Sequence, residues 1–245
     1  SGGYLQELTS FAYGAALMYL LATDNATEPS YATVFLDEAL IKAFKSGADF
    51  HRYVASMVYG IPVDEVTPDQ RNHVKAMSYG LAYGLSTYGL SQQLGIPSKE
   101  AAALRSRYFQ TFGKVHDYLE SLVSNARNTG YTQTMFGRRR YFPALTSANR
   151  VARDAAERGA LNAPIQGTAA DIMKIAMIRV DRALRDGNLN SRIVLQIHDE
   201  LLVETERSEV EAVKALLEEQ MKGAADLKVA LEVDAKVGKD WGEAH

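Results

Sequence analysis

Apolar residues recur at helical spacing along most of this chain, and they contract into short β-rich runs mainly in its last quarter. This order restricts the fold more than any other feature. A helical portion followed by a few strands with helices predicts an α+β protein carrying a small antiparallel sheet. Helix is expected over 37–46, 50–59, 68–83, 98–112, 115–129, 149–162 and 168–186, and strand at 131–135, 140–142, 193–197, 201–204 and 228–237. Leu5, Leu8, Phe11, Ala12, Ala15, Ala16 and Tyr19 share one helical face, so residues 5–21 read as an amphipathic helix, with a loop from Asp24 to Ser30 after it. Thr67 is the expected cap of the helix over 68–83, with Pro68 at its first position, and Ser98 the expected cap of the helix over 98–112.

Composition sets the bounds. The chain has 245 residues, 47% apolar and 23% charged, which suits a soluble globular protein with a sizeable core. No stretch approaches the ~18 apolar residues of a membrane span. The N-terminus lacks the basic region of a signal peptide, so a cytoplasmic location away from membranes is expected. The absence of cysteine excludes disulfides, thiolate metal sites and a thiol nucleophile. Net charge is −3, yet Arg127, Arg138, Arg139, Arg140, Arg150, Arg153 and Arg158 face only Asp154 and Glu157 over 127–158, a local balance of 7 − 2 = +5. Such a stretch either holds a polyanion or forms a solvated face.

Three constellations carry candidate chemistry. Arg71, Lys75, Tyr79 and Tyr83 lie four residues apart, and four helical steps turn roughly 400°, so the side chains form one drifting stripe. Two cations followed by two aromatics suit a nucleotide, with phosphates on the cations and a ring against the base, or else a surface helix with half-buried tyrosines. Gly80 and Gly84, each following a tyrosine, leave space for a large group to approach. His198-Asp199-Glu200 sits at a tight turn between apolar runs. A carboxylate there is placed to hold Mg²⁺, which takes one or two protein carboxylates plus substrate phosphates, or it belongs to a plain polar turn. Asn162 and Gln166 flank a helix break expected at Pro164. Their amides suit either the acceptors common to all base pairs in the minor groove or local capping.

Together these segments resemble the polymerase domain of family A DNA polymerases, the bacterial DNA polymerase I type, from about Asp37 to His245. Arg71-x3-Lys75-x3-Tyr79-Gly80-x2-Tyr83-Gly84 resembles the family's motif B on a helix of the fingers, and His198-Asp199-Glu200 its motif C in the palm. Glu157-Arg158-x3-Asn162-x3-Gln166-Gly-Thr-Ala-Ala-Asp171, Gly137-Arg-Arg-Arg-Tyr141 and Gly238-x-x-Trp241 also resemble family stretches. The resemblance implies a helical fingers subdomain over 34–160 packed on a truncated palm over 161–245, with residues 1–33 outside the pattern. It implies template-directed transfer of a dNTP to a primer 3′-hydroxyl, with a Mg²⁺ pair as cofactor and dNTPs and a DNA primer–template as partners. Arg71 and Lys75 would bind the triphosphate, and Tyr79 would stack on base and sugar, a tyrosine associated in the family with easier acceptance of dideoxynucleotides. Tyr83 and Gly84 would lie on the template side, while Arg158, Asn162 and Gln166 would track the primer–template. His198 would touch the primer terminus or incoming phosphates, Asp199 would hold metal, and Glu200 would support it.

One motif of the resemblance is missing. The family's Asp-Tyr-Ser-Gln-x-Glu run, whose Asp is the second metal ligand, does not occur. Asp24-Asn-Ala-Thr-Glu28 keeps an acid pair at a spacing one residue short, so Asp24 is either that ligand or a loop residue. A thumb and nuclease domains are also expected to be absent, with a missing N-terminal portion as a possible partner and impaired activity as the consequence. The alternative readings are a fragment that binds dNTP and primer–template without joining them, and an engineered scaffold in which the motifs are idle.

Overall fold

The structure is a computed structural model that describes residues 4–9, 49–82, 84–227 and 231–244. In chain order its elements are β1 (Tyr4–Thr9), α1 (Phe50–Tyr59), α2 (Pro68–Ala82), α3 (Thr87–Leu94), α4 (Ser98–Thr111), α5 (Gly113–Thr129), β2 (Tyr131–Gln133), β3 (Arg139–Tyr141), α6 (Arg150–Asp186), β4 (Arg192–Ile197), β5 (Glu200–Thr205), α7 (Val210–Lys222), β6 (Asp234–Gly238) and α8 (Trp241–Ala244). Helices and a small antiparallel sheet make it an α+β protein, as the pattern predicts. Two compact units result: residues 17–165, and residues 1–16 together with 166–245.

In the unit of residues 17–165, α1 packs on α2 and α4, α2 on α3, α3 on α4, and α4 on α5. Each helix buries a stripe: Val54, Ala55 and Val58 on α1, Val74, Met77 and Leu81 on α2, Leu104 and Tyr108 on α4. Tyr108 is buried with its hydroxyl 3.3 Å from that of Ser78, which satisfies two polar atoms inside the core. A second cluster joins Ala126, Phe142, Leu145, Ala156, Ala160 and Ala163, and Gly159 exists there because a Cβ would come 2.8 Å from the Phe142 ring.

The other unit is built on one antiparallel sheet of order β4-β5-β1-β6. Leu201, Leu202 and Val203 of β5 are buried, as are Val213, Leu217 and Met221 of α7, which packs on β6. β1 pairs with both neighbours: Leu5 lies opposite Glu204 on one side and Gly238 on the other.

Several expectations need correction. Residues 4–9 are strand, not the start of a helix; a sheet with an open slot between β5 and β6 offers six residues two ladders of hydrogen bonds, which overrides local helical spacing. The remainder of the expected 5–21 helix, the helix over 37–46, Asp24 and Glu28 lie outside the described residues. The helix expected to break at Pro164 runs unbroken from Arg150 to Asp186. Proline removes one N–H, but Ala160, Ala163, Pro164 and Ile165 are all buried, and that burial outweighs one lost bond. Ser98 is the first residue inside α4 rather than its cap; Pro97 occupies the cap position, and the Ser98 hydroxyl donates to Ser91 Oγ at 3.3 Å. The last strand is shorter than 228–237 and begins at Asp234.

The start of α2 follows the sequence closely. Thr67 Oγ1 accepts from the Gln70 N–H at 3.2 Å, and the Thr67 N–H donates to Gln70 Oε1 at 2.9 Å, a reciprocal cap. Removing it with Thr67→Ala should cost about 1 kcal/mol of stability, read from urea unfolding. An unchanged midpoint and slope would mean that α2 is set by packing alone.

Candidate functional site

The stripe on α2 is anchored from α1. Asp49 precedes α1 and accepts the Arg52 N–H on Oδ1 at 3.0 Å, capping that helix. Its other oxygen, Oδ2, accepts Arg71 Nε at 2.7 Å. Burial works against the Asp49 charge, but the Arg52 N–H and the Arg71 guanidinium outweigh it and hold the carboxyl below its ordinary value. Two residues on, His51 Nε2 lies 3.1 Å from the Tyr79 hydroxyl, with the rings edge to face at 5.4 Å. His51 Nδ1 is buried and has no hydrogen-bond partner. Burial, with Arg71 and Lys75 adding their positive charges, pushes His51 down to about 4 against the pull of Asp49. Lys75 is exposed, its Nζ 5.9 Å from the Tyr79 ring centroid.

Arg71, Lys75 and Tyr79 thus form one contiguous surface, backed by Asp49 and His51. Tyr83, the fourth member of the stripe, lies outside the described residues. His51 was not singled out by sequence spacing, because it belongs to another helix. The available signal was an Asp-x-His at a helix start, with Asp49 as cap and His51 in the first turn.

The glycines beside the stripe serve the chain itself, which corrects the expectation of open space. A Cβ on Gly80 would come 2.8 Å from Leu85 Cδ2, and one on Gly84 would come 3.1 Å from Arg158 Cγ and 3.2 Å from Leu161 Cδ1. Gly84 also has φ +65°, a left-handed conformation that ends α2. The result is useful: the Gly84 turn is brought against Arg158, whose exposed side chain lies on α6 four residues before half-buried Asn162. Behind this turn a cavity of about 560 Å³ is lined by Leu81, Leu85, Phe109, Arg105, His116 and Arg127 among others. The α2 cations do not line it.

In the second unit, Gln166 is exposed on α6, and the β4–β5 turn carries His198 and Asp199, with Glu200 opening β5. His198 has φ +50°, a conformation that costs a non-glycine residue about 1–2 kcal/mol. Gln196 Nε2 donates to the His198 carbonyl at 2.8 Å and supports the turn, with Ile197 paired to Glu200 at its base. Strain of this kind persists where surrounding structure fixes it, and it concentrates at functional sites. Asp199 and Glu200 are half-buried hard oxygen donors. Among the described residues no group of three or more His, Asp or Glu side chains is arranged to hold a metal ion. Two adjacent carboxylates still fit Mg²⁺, which takes one or two protein carboxylates and completes its shell with water and phosphate oxygens. Asp24 belongs to no described geometry.

Among the described residues, no helix is long and apolar enough to cross a membrane. The profile of DNA polymerase family A matches residues 30–243. A profile of the SbcC/RAD50-like Walker B motif matches residues 1–49, which are outside the described residues but for β1 and Asp49. The chain is 57% identical over 208 residues to DNA polymerase I of Mycobacterium bovis, covering 85% of the chain and 23% of that relative. It is 45% identical over 205 residues to the thermostable DNA polymerase I of Thermus thermophilus, covering 84% of the chain and 24% of the relative. The chain therefore spans about a quarter of the length of these curated relatives. Among solved structures, the POL domain of Pol1 from M. smegmatis, in complex with DNA primer-template and dNTP, is similar with a TM-score of 0.86 and 47% identity, over 100% of this chain and 41% of that one.

The His51 environment predicts a pH dependence. Its value is lowered from 6.5 to about 4, so between those pH values the unfolded chain binds a proton that the folded chain refuses. Stability from this source is present above pH 6.5 and is lost as the pH falls towards 4. Asp49, held below 3.8, acts only under that window. Urea midpoints at several pH values should therefore fall more steeply between pH 7 and 4.5 for the parent than for His51→Asn. Parallel curves would show that His51 titrates normally.

Proposed function

The chain belongs to DNA polymerase family A, and we propose that it carries out template-directed nucleotidyl transfer. In this reading a primer 3′-hydroxyl oxygen attacks the α-phosphorus of a dNTP paired to the template, the bond from that phosphorus to the bridging oxygen breaks, and pyrophosphate leaves. The observation that supports it best is the surface of Arg71, Lys75 and Tyr79, held in place by Asp49 and His51. Arg71 and Lys75 take the triphosphate, since charge-assisted bonds to phosphate are the strong ones. Tyr79 lies against base and sugar. We assign the template side to Tyr83 and Gly84, and the primer–template to Arg158, Asn162 and Gln166. We assign the fingers role to residues 34–160, the palm role to 161–245, and neither to 1–33.

His198 contacts the primer terminus or the incoming phosphates, and Asp199 holds Mg²⁺ with Glu200 beside it. Bound there, the Mg²⁺ pair would ease loss of the 3′-hydroxyl proton and offset charge on the leaving pyrophosphate. The residues' own contribution is alignment: the His198 turn sets Asp199 at the end of the β4–β5 pair, and the α2 stripe supplies the cations for the phosphates. Asp24 is either the second carboxylate or a loop acid. A second reading, binding of dNTP and primer–template without transfer, is favoured by the lack of an Asp-Tyr-Ser-Gln-x-Glu run.

Two measurements test these assignments. Lys75→Ala should weaken dNTP binding by about 1.5–3 kcal/mol in a titration with Mg²⁺ present, while primer–template affinity stays the same. Equal dNTP affinity in both proteins would remove Lys75 from the site. In single-turnover incorporation at saturating dNTP and Mg²⁺, the parent should extend a primer and Asp199→Asn should not; brisk extension by Asp199→Asn would overturn the catalytic reading. Loss of extension in Asp24→Asn identifies the second ligand, and a silent Asp24→Asn makes that residue a loop acid. A parent that binds dNTP yet leaves the primer unextended supports the second reading.

A further inference from the structure

The ribbon between α5 and α6 takes no part in the site above, yet its chemistry is specific. β2 and β3 pair antiparallel with Tyr131 opposite Tyr141, Thr132 opposite Arg140, and Gln133 opposite Arg139. Alternation puts Tyr131, Tyr141, Gln133 and Arg139 on one face and Thr132 and Arg140 on the other. On the second face Thr132 is buried, while Arg140 is exposed with its guanidinium 5.2 Å from the ring centroid of Phe142, a member of the alanine-rich core cluster.

The first face turns outward and is pre-arranged. The Arg139 guanidinium sits 4.4 Å from the Tyr131 ring centroid, and Arg139 Nε donates to Gln133 Oε1 at 3.3 Å. Tyr131 in turn meets Tyr141 edge to face at 5.5 Å. Tyr141 is the end of this stack and is 66% exposed. The turn is braced by the Thr134 side chain, which accepts the Arg138 N–H at 3.1 Å, and Gly137 supplies its left-handed φ of +84°.

Tyr141 is an exposed ring set edge to face against a second ring, Tyr131, which is itself held by a guanidinium, and so offers a ready stacking surface. Its surroundings are cationic, within the stretch whose charges sum to +5. A ligand that fits must offer both a flat ring and regularly spaced negative charge. A duplex offers the charge but keeps its bases stacked inside; a single strand offers both. We propose that the outer face of the β2–β3 ribbon is a stacking platform for single-stranded DNA, with one base on Tyr141 and the flanking phosphates on the neighbouring arginines. The proposal needs neither dNTP nor nucleotidyl transfer, so it stands or falls apart from the polymerase reading.

The test is equilibrium binding without dNTP or Mg²⁺, by anisotropy of a labelled oligothymidylate and of an abasic strand of the same length. Tyr141→Ala should weaken oligothymidylate binding about 5- to 150-fold, the range for one stacked base. Tyr141→Phe, which keeps the ring and guards against a folding artefact, should bind like the parent. The abasic strand should bind parent and Tyr141→Ala alike. Unchanged oligothymidylate affinity in Tyr141→Ala, or an equal loss for the abasic strand, would overturn the platform and leave the ribbon as a phosphate contact or a solvated face.

Discussion

The carboxylate of Asp49 accepts the Arg52 N–H with one oxygen and the Arg71 guanidinium with the other, so the start of α1 and the first turn of α2 are referred to a single charge. The pair is not what holds the helices together. Its side chains are 30% and 40% exposed, and an ion pair at that exposure is worth about 0–1 kcal/mol. Adhesion comes from the buried faces, Val54, Ala55 and Val58 on one helix and Val74, Met77 and Leu81 on the other. What the pair contributes is direction. Packing sets the distance between α1 and α2, and Asp49 then sets where Arg71 points, while His51 does the same for the Tyr79 ring. The roles proposed for Arg71 and Tyr79 depend on those two restraints.

The same restraints shape its electrostatics. Arg71 is engaged, whereas Lys75 is exposed and has only the Tyr79 ring beside it among the described contacts. A triphosphate would reach Lys75 without displacing a carboxylate and would then compete with Asp49 for Arg71. The neutral state of His51 keeps a third positive charge out of the cluster while no anion is there to balance it. In the second unit the β4–β5 turn has His198 at φ +50°, and Gln196 braces it through the His198 carbonyl. The α2 surface is thus ordered by side-chain pairing, and the β4–β5 turn by its own backbone.

Much of this was legible in the sequence because it is local. The four-residue spacing of Arg71, Lys75 and Tyr79 fixes a shared face once α2 exists, and Thr67 with Pro68 fixes where α2 begins. The His198-Asp199-Glu200 turn follows from two apolar runs with polar residues between them. What was not legible depends on distant partners. Residues 4–9 carry helical spacing but become a strand because β5 and β6 flank them. Pro164 looks like a break until the burial of Ala160, Ala163 and Ile165 is known. Gly80 and Gly84 look like room for a ligand until Leu85 and Arg158 are seen to fill it. His51 gives no periodic signal, because its partner Tyr79 is 28 residues away.

The central claim is that the α2 surface is where a template-selected nucleotide sits, and amide hydrogen exchange reads it directly. With primer–template and Mg²⁺ present, adding the complementary dNTP should slow exchange across residues 68–82 and at the start of α1, while the amides of α4 and α7 exchange as before. A non-complementary dNTP should slow α2 much less. Identical exchange of α2 with and without the complementary dNTP, or uniform slowing across all helices, would contradict the account.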